Sequence, residues 1–257
     1  MQIDIFESHN QMVMEAAEAV ARSLREAIEE NGEARIVFST GASQLDMLDV
    51  LVLLDVDWKK VEAFHLDEYL GIRPDHPASF VKYLRERVES KVDLKAFHYV
   101  DISLGPDEII DHLTSVINEK PVDIGLIGIG ENAHIAFNDP PADFEDQASF
   151  KVVELDDMCR RQQLGEGWFP TLDDVPHTAI TMTVTQILKC RRIVSVVPFA
   201  VKAKAVHDTL SYDGTTPMIP ATILKRHPDS RIFLDGESAA LLSDEILKKS
   251  GLSFIKH

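Results

Sequence analysis

The sequence is short of positive charge, of cysteine and of long apolar runs. Its 257 residues include 26 lysines and arginines against 43 aspartates and glutamates, which gives a formal net charge of −17 at pH 7. Such a surface repels phosphate backbones, so nucleic-acid binding is disfavoured. It also repels small anions at long range, so an anionic ligand would have to be held by a few local cations and backbone N–H groups.

The two cysteines, Cys159 and Cys190, form no CxxC pair. We expect free thiols in a reducing compartment, with a single disulfide as the alternative.

Residues 1–6 contain no basic region or long apolar core, and the apolar run 50–54 stops at an aspartate, well short of a membrane span. The sequence therefore predicts a cytoplasmic protein that does not bind a membrane.

Apolar strand-like segments alternate with amphipathic helical segments along the chain. The predicted strands are 3–6, 36–39, 61–66, 97–100, 123–128, 193–197 and 231–234. The predicted helices are 8–32, 45–52, 79–88, 109–117, 202–210 and 238–247, the first of them capped by Ser8. This alternation predicts an α/β fold, a Rossmann-like three-layer sandwich with a mainly parallel sheet covered by helices on both faces. We expect a single domain over 1–257, with a long active-site excursion at about 139–178 where clear periodicity is lacking.

Three segments rich in chemically useful side chains follow predicted strands, at 39–44, 65–69 and 128–140. Ligands of open parallel sheets bind at the carboxyl ends of the strands. The three segments are therefore expected to form one shared site.

A turn between a predicted strand and a predicted helix could bind a phosphate; it consists of Thr40, Gly41, Ala42 and Ser43. Glycine permits a tight turn, backbone N–H groups at a helix start attract anions, and the hydroxyls add donors. The segment is not a P-loop, since no Gly-Lys-Ser/Thr follows at the required spacing. An ordinary strand–helix turn is the alternative.

Lys202, Arg160 and Arg161 are candidate partners for such an anion. Lys202 begins a predicted helix after a strand, and the two arginines are adjacent in the long polar segment. Each could reach a phosphate. The alternative for each is a solvated surface residue.

Asp67 and His134 are suited to proton transfer. Asp67 follows a strand, where a carboxylate is well placed as a general base. His134 lies in a glycine-punctuated turn between Glu131 and Asp139, and imidazole titrates near working pH. The alternatives are a helix cap or solvated charge for Asp67 and a structural histidine for His134.

A metal site and a nicotinamide site are not expected. His65, Asp67 and His134 could form a metal site, but this ligand set is not diagnostic. The glycine-rich turn does not match GxGxxG, because Ala133 stands where the third glycine would be.

Taken together, these segments resemble glucosamine-6-phosphate deaminase/isomerase over nearly the whole chain. The matching segments are Ser39-Thr40-Gly41-Ala42-Ser43, Asp67-Glu68-Tyr69-Leu70-Gly71, His76-Pro77-Ala78-Ser79-Phe80, Gly128-Ile129-Gly130, His134-Ile135-Ala136-Phe137-Asn138-Asp139-Pro140, Val175-Pro176, Ala179-Ile180-Thr181 and the region around Lys202. The Asp-Glu-Tyr and His-Ile-Ala-Phe-Asn segments are specific, and the others are weak when taken singly.

The resemblance implies an aldose–ketose isomerisation coupled to loss of ammonia from an amino-sugar 6-phosphate, without a cofactor. Asp67 would move the proton between C2 and C1, and His134 would assist opening of the sugar ring with support from Asp139. Ser43, the backbone around Gly41 and Lys202 would hold the phosphate. The remaining candidates for substrate or phosphate binding are Thr40, Ala42, Glu68, Arg160 and Arg161.

The sequence departs from the family pattern just before the histidine. The family has Asn-Asp-Gly there, and this chain has Glu131, Asn132 and Ala133. Asn132 could still orient the imidazole by accepting a hydrogen bond, but it cannot stabilise an imidazolium by charge, and Glu131 could compensate. Asp139 stands where the family has a glutamate.

Two other functions stay open from the sequence. One is a hydrolase resembling 6-phosphogluconolactonase, in which the histidine would activate water. The other is a non-catalytic sugar-phosphate sensor. Relatives occur as monomers and as larger assemblies, so a homo-oligomer also stays open.

Overall fold

The computed structural model describes residues 1–165 and 167–257. The strands are β1 Gln2–Phe6, β2 Ala34–Phe38, β3 Val61–His65, β4 Asp67–Tyr69, β5 Ala96–His98, β6 Ile124–Leu126, β7 Phe150–Glu154, β8 Thr178–Met182, β9 Arg192–Val197, β10 Ser230–Asp235 and β11 Ser253–Lys256. The helices are α1 His9–Asn31, α2 Leu45–Leu51, α3 Phe80–Leu84, α4 Pro106–Ile117, α5 Asp157–Gly165, α6 Val184–Ile187, α7 Ala203–Ser211 and α8 Asp244–Lys249. Short 3-10 helices at Ala42–Gln44 and Ala200–Lys202 lead into α2 and α7, and α3 continues as a π-helix at Arg85–Glu89.

The strands form a large parallel sheet and a small antiparallel one. The large sheet has eight strands in the order β11-β1-β10-β9-β6-β2-β3-β5, and the small sheet has the order β4-β8-β7. From β2 the chain adds β3 and β5 on one side, and it then adds β6, β9 and β10 on the other. The strand order therefore reverses between β2 and β6, which is where open parallel sheets bind ligands.

Helices cover both faces of the large sheet. In β2, Ile36 and Phe38 belong to the core formed with α1 and α2, whereas Val37 belongs to the opposite core with α4 and α7. This alternation is the pattern of a strand that is buried on both faces. The predicted α/β fold, a three-layer sandwich with a mainly parallel sheet, is confirmed.

One predicted cap and one predicted helix start need correction. Ser8 stands at the N-cap of α1, but its side chain makes no capping hydrogen bond. The last helix begins at Asp244 instead of at Ser238, because Ser238 is engaged in a turn in which its N–H donates to Asp235 Oδ1 at 2.8 Å. Ser243 is the cap there, and its Oγ accepts the Ile246 N–H at 3.2 Å.

The periodicity of the sequence missed the small sheet, α5 and β11. Strand β4 has three residues and pairs with β8 from a distant part of the chain, so no local pattern marks it. The segment 139–178, for which no regular structure was expected, contains β7 and α5. Within the described residues, no helix combines the length and apolar character needed to cross a membrane.

Candidate active site

An open pocket lies beyond the carboxyl ends of β2, β3, β6 and β9. The empty space between its walls, together with the part that is open to solvent, is about 810 Å³. Its walls are the turns that follow these strands and one side of α5. The predicted site residues that line it are Thr40, Gly41, Ala42, Ser43, Asp67, Glu131, His134 and Lys202. The segments 39–44, 65–69 and 128–140 meet in this pocket because the strands that precede them, β2, β3 and β6, are neighbours in the sheet.

Asp67 is the first residue of β4 and is only 5% exposed. It is paired with Thr181 of β8, whose Oγ1 accepts the Phe137 N–H at 3.0 Å. Burial, together with the negative charge of Glu68, raises the pKa of the Asp67 carboxyl to about 8. A carboxyl with this pKa gains and loses its proton close to neutral pH and is therefore suited to general acid–base chemistry.

The structure does not bring Glu68 to the pocket, although the sequence made it a candidate for substrate binding. Successive side chains of a strand point to opposite sides. The Glu68 carboxylate accepts the Ser79 hydroxyl at 2.8 Å and the Val81 N–H at 2.9 Å. Burial raises the pKa of this carboxyl, and these hydrogen bonds oppose the rise. Glu68 therefore holds α3 against β4.

His134 is supported from behind by Asp139 and Asn132. His134 Nδ1 lies 3.1 Å from Asp139 Oδ1. The Asn132 amide donates to Asp139 Oδ1 at 3.0 Å, and its oxygen accepts the His134 backbone N–H at 3.1 Å. Burial acts to raise the pKa of Asp139, but His134 and Asn132 hold it below its ordinary value. Asn132 thus binds the His134 backbone and Asp139, and the expectation that it bonds to the imidazole is not met.

The turn that carries His134 has a strained but well-anchored backbone. Ala133 and Ala136 have φ angles of 64° and 48°, which residues other than glycine adopt rarely. Asn138 anchors the turn to the small sheet, because its amide donates to Met182 O at 2.9 Å and to Ile135 O at 3.0 Å. The small sheet therefore sets the position of His134 as well as that of Asp67.

The turn after β2 and the segment after β9 supply groups suited to an anion. Gly41 has φ 101°, which favours glycine. Ser43 Oγ accepts a hydrogen bond from the Gln44 amide at 3.0 Å, so its hydroxyl proton is available to a ligand. The same amide donates to Val196 O of β9 at 3.1 Å and ties the turn after β2 to the end of β9. Lys202 lines the pocket and is 7% exposed, so it is not a solvated surface lysine.

Arg160 and Arg161 do not line the pocket. Arg160 is buried, and its guanidinium donates to Leu172 O at 2.6 Å, so it holds the segment that follows α5. Arg161 is exposed. Consecutive residues of a helix point in different directions, and the side of α5 that faces the pocket carries the next two residues instead.

Two glutamines of α5, Gln162 and Gln163, line the pocket, and nothing in the sequence indicated them. The Tyr69 hydroxyl donates to Gln163 Oε1 at 2.6 Å, which fixes the amide and leaves its NH₂ group as the donor for a ligand. Gln162 Oε1 accepts the Glu131 N–H at 3.0 Å. A glutamine that faces a pocket looks the same in a sequence as one that faces water, so no signal distinguished this pair.

The described lining of the pocket therefore joins a buried carboxyl, an imidazole, an ammonium group, hydroxyls and amides. Asp67 and His134 can move protons, and Lys202 and Ser43 can bind an anionic group. Such a set suits proton transfer on a hydroxylated anion.

Known proteins resemble this chain over nearly its whole length. A glucosamine-6-phosphate deaminase from Exiguobacterium sibiricum is 37% identical over 93% of this chain and 95% of its own. One from Thermoanaerobacter pseudethanolicus is 31% identical over 97% of this chain and 98% of its own. The solved structure of a monomeric glucosamine-6-phosphate deaminase has a TM-score of 0.85 at 25% identity and covers 94% of this chain and 100% of that one.

The fold is shared more widely. The structure of a 6-phosphogluconolactonase from Shewanella baltica has a TM-score of 0.73 at 21% identity, covering 91% of this chain and 97% of that one. The sequence profile described as glucosamine-6-phosphate isomerases/6-phosphogluconolactonase matches residues 7–233. The chain therefore belongs to the glucosamine-6-phosphate isomerase/6-phosphogluconolactonase family.

Proposed function

We propose that the protein is an enzyme that converts glucosamine 6-phosphate and water to fructose 6-phosphate and ammonia. The observation that carries the proposal is the buried Asp67 carboxyl, with its pKa raised to about 8, in the same pocket as His134 and Lys202. The similarity to the glucosamine-6-phosphate deaminases described above supports it. The substrate class and the free, buried Cys159 and Cys190 also favour a reducing, cytoplasmic location.

Asp67 is the base in this proposal. Isomerisation requires a proton to leave C2 of the open-chain sugar and a proton to be delivered to C1, and one carboxylate between the two carbons can do both. A base is most effective when its pKa is near the working pH, and burial brings Asp67 into that range. Asp67 accepts the first proton as a carboxylate and returns it as an acid.

His134 opens the sugar ring. Its Nδ1 is turned to Asp139, which leaves Nε2 as the nitrogen for the substrate. Ring opening moves a proton from the O1 hydroxyl to the ring oxygen, and an imidazole can accept it from one oxygen and pass it to the other. The Asp139 carboxylate stabilises the imidazolium that forms between these steps, which is a role that Asn132 cannot take by charge.

The phosphate is held by Lys202, Ser43 and the backbone of the turn after β2. A chain with a net charge of −17 repels a phosphate at long range. Local donors must therefore overcome that repulsion, and Lys202 supplies a positive charge at the pocket wall. The Gln163 amide adds a neutral donor for a sugar hydroxyl.

The alternative function, hydrolysis of 6-phosphogluconolactone, is less well supported by the site. Lactone hydrolysis needs one activated water, and it gives no role to a second base whose pKa is tuned by burial. Several solved 6-phosphogluconolactonase structures resemble this chain at 16–22% identity, a likeness that shows the fold alone. A sugar-phosphate sensor would need the side chains that bind the phosphate, but it would not need a buried Asp67 in the pocket.

The deciding experiment measures ammonia and fructose 6-phosphate from glucosamine 6-phosphate with purified protein. We expect both products in equal amounts, and we expect loss of turnover with retained substrate binding in Asp67→Asn. Asp111→Asn, an exposed aspartate of α4, controls for the loss of one negative charge. Hydrolysis of 6-phosphogluconolactone without ammonia release would establish the lactonase function, and tight binding without turnover would establish the sensor.

A further inference from the structure

A cluster of three metal-ligating side chains lies behind the pocket wall. Cys159 of α5 approaches the His134–Asp139 pair, and one ligand atom from each of the three residues lies within 4.8 Å of the other two. Cys159 is 1% exposed and His134 is 8% exposed. The proposed reaction gives the thiol no role, and the thiol does not line the pocket.

Two atoms of the cluster are buried without a hydrogen-bond partner among the described residues, His134 Nδ1 and Asp139 Oδ2. Nδ1 is 3.1 Å from Asp139 Oδ1, but the two groups are not aligned for a hydrogen bond. Buried polar atoms are normally satisfied, so an unsatisfied nitrogen and oxygen beside a thiol are unusual. A bound cation would satisfy both atoms at once.

Cys159 is not placed to act as a nucleophile. Burial and the negative charge of Asp139 raise the pKa of its thiol well above the ordinary value, so the sulfur is protonated. Among the described residues His134 Nδ1 has no hydrogen-bond partner, so the thiol makes no hydrogen bond to this nitrogen of the kind that activates a nucleophilic cysteine. A metal ion, by contrast, removes the proton of a coordinating thiol outright.

We propose that Cys159, His134 and Asp139 form a binding site for Zn²⁺ or a cation of similar preference, and that its occupation inhibits the enzyme. Thiolate, imidazole and carboxylate are the ligands of protein zinc sites. Binding forms one bond from the metal to each side chain, releases the thiol proton to solvent and leaves a fourth position for water. With the metal bound to Nδ1, His134 can no longer form the imidazolium that ring opening requires, which is the cause of the inhibition.

The cluster needs only a small adjustment to accept zinc. Tetrahedral coordination at bond lengths of about 2.0–2.3 Å places ligand atoms roughly 3.3–3.8 Å apart, so the widest separation must close by about 1 Å. The inhibition rests on the proposed role of His134 in catalysis, whereas metal binding does not. The two are therefore tested by separate measurements.

Binding is measured with Co²⁺ as a spectroscopic substitute for Zn²⁺, on protein stripped of metal by a chelator. We expect a thiolate-to-cobalt charge-transfer band that saturates at one Co²⁺ per chain and disappears when Zn²⁺ is added. The band should be absent in Cys159→Ala and unchanged in Cys190→Ala, the matched control at the other buried cysteine. Cys159→Ser, which also lacks a thiolate, serves as a second variant if Cys159→Ala fails to fold.

Inhibition is then measured with Zn²⁺ at fixed glucosamine 6-phosphate. We expect Cys159→Ala to keep its basal activity and to need about tenfold more Zn²⁺, or more, for half inhibition, because one ligand is lost. Cys190→Ala should match the wild type. A missing cobalt band in the wild type, or equal zinc sensitivity in Cys159→Ala, would overturn the proposal. A cobalt band that depends on Cys159 in a protein without deaminase activity would support the site and refute the proposed function alone.

Discussion

A methyl group on the α-carbon of Gly130 would lie 2.3 Å from both Cε1 and Nε2 of His134. The imidazole therefore packs directly on the backbone of the turn that precedes it. Real Cβ atoms do not approach other heavy atoms so closely, so any side chain at position 130 must move the ring or the turn. Gly130 is a positioning residue for His134.

Gly130→Ala should reduce kcat by about 100-fold, because displacement of a reacting group by about 1 Å has an effect of this size. Substrate KM should change little, since Lys202 and Ser43 are untouched. Gly128→Ala is the matched control, because a Cβ there meets its nearest neighbour, Gln44 Nε2, at an ordinary 3.6 Å. Steady-state kinetics of both variants test this, and equal kcat values for the two would contradict the positioning role.

Asp67→Asn should stabilise the fold, and increasingly so as the pH rises. The pKa of the Asp67 carboxyl is about 8 in the folded protein against 3.8 as its ordinary value, so the folded state binds this proton more tightly. The stability that the folded protein gains from keeping Asp67 protonated is fully present below pH 3.8 and is lost as the pH rises through about 8. The difference in unfolding free energy between variant and wild type should grow between these values to on the order of 5 kcal/mol at pH 9.

Urea unfolding at several pH values measures that difference, with Asp111→Asn as the control for the charge removed. A stability difference that stays constant between pH 4 and pH 9 would show that burial does not raise the pKa of Asp67.

Lys202→Met should weaken binding of the phosphorylated substrate far more than it slows turnover. Methionine is similar in length to lysine but lacks the charge that we propose to bind the phosphate. We therefore expect KM to rise by about 10–100-fold, because charge-assisted hydrogen bonds contribute roughly 1.5–3 kcal/mol. Arg161→Met, which removes an exposed charge outside the pocket, is the control. A large rise of KM in Arg161→Met with none in Lys202→Met would reverse the assignment of the phosphate-binding cation.

Gln163→Leu should raise KM by about three- to tenfold, the effect of one neutral hydrogen bond. Tyr69→Phe should produce a smaller rise, because it frees the amide without removing it. The double variant should then be no worse than Gln163→Leu if Tyr69 acts on the ligand through that amide. Additive effects of the two substitutions would mean that Gln163 does not position a donor for the sugar.

The local pattern of the sequence predicted the layers of the fold and the edge that carries the site. The apolar segments that became β2, β3, β6 and β9 are buried on both faces, and hydrophobic periodicity reports such burial directly. The polar segments after three of these strands could then be assigned to one edge of a parallel sheet. Thr40 to Ser43, Asp67 and His134 were found in this way.

Other features depended on contacts between distant parts of the chain. Strand β4 exists because it pairs with β8, and this pairing buries Asp67 and turns Glu68 away from the pocket. The same small sheet anchors the His134 turn through Asn138. No window of neighbouring residues contains this information, which is why the sequence did not show that Glu68 faces away from the pocket.

The sequence by itself therefore determined the α/β class and the family resemblance, and it indicated Asp67 and His134 as the residues for proton transfer, because these follow from local periodicity and from short motifs. Only the tertiary structure decided which cation lines the pocket, how α5 presents its glutamines in place of its arginines, and that Cys159 lies beside the His134–Asp139 pair. The pKa of Asp67 belongs to the second group too, because it is set by how completely the surrounding chain excludes water from the carboxyl.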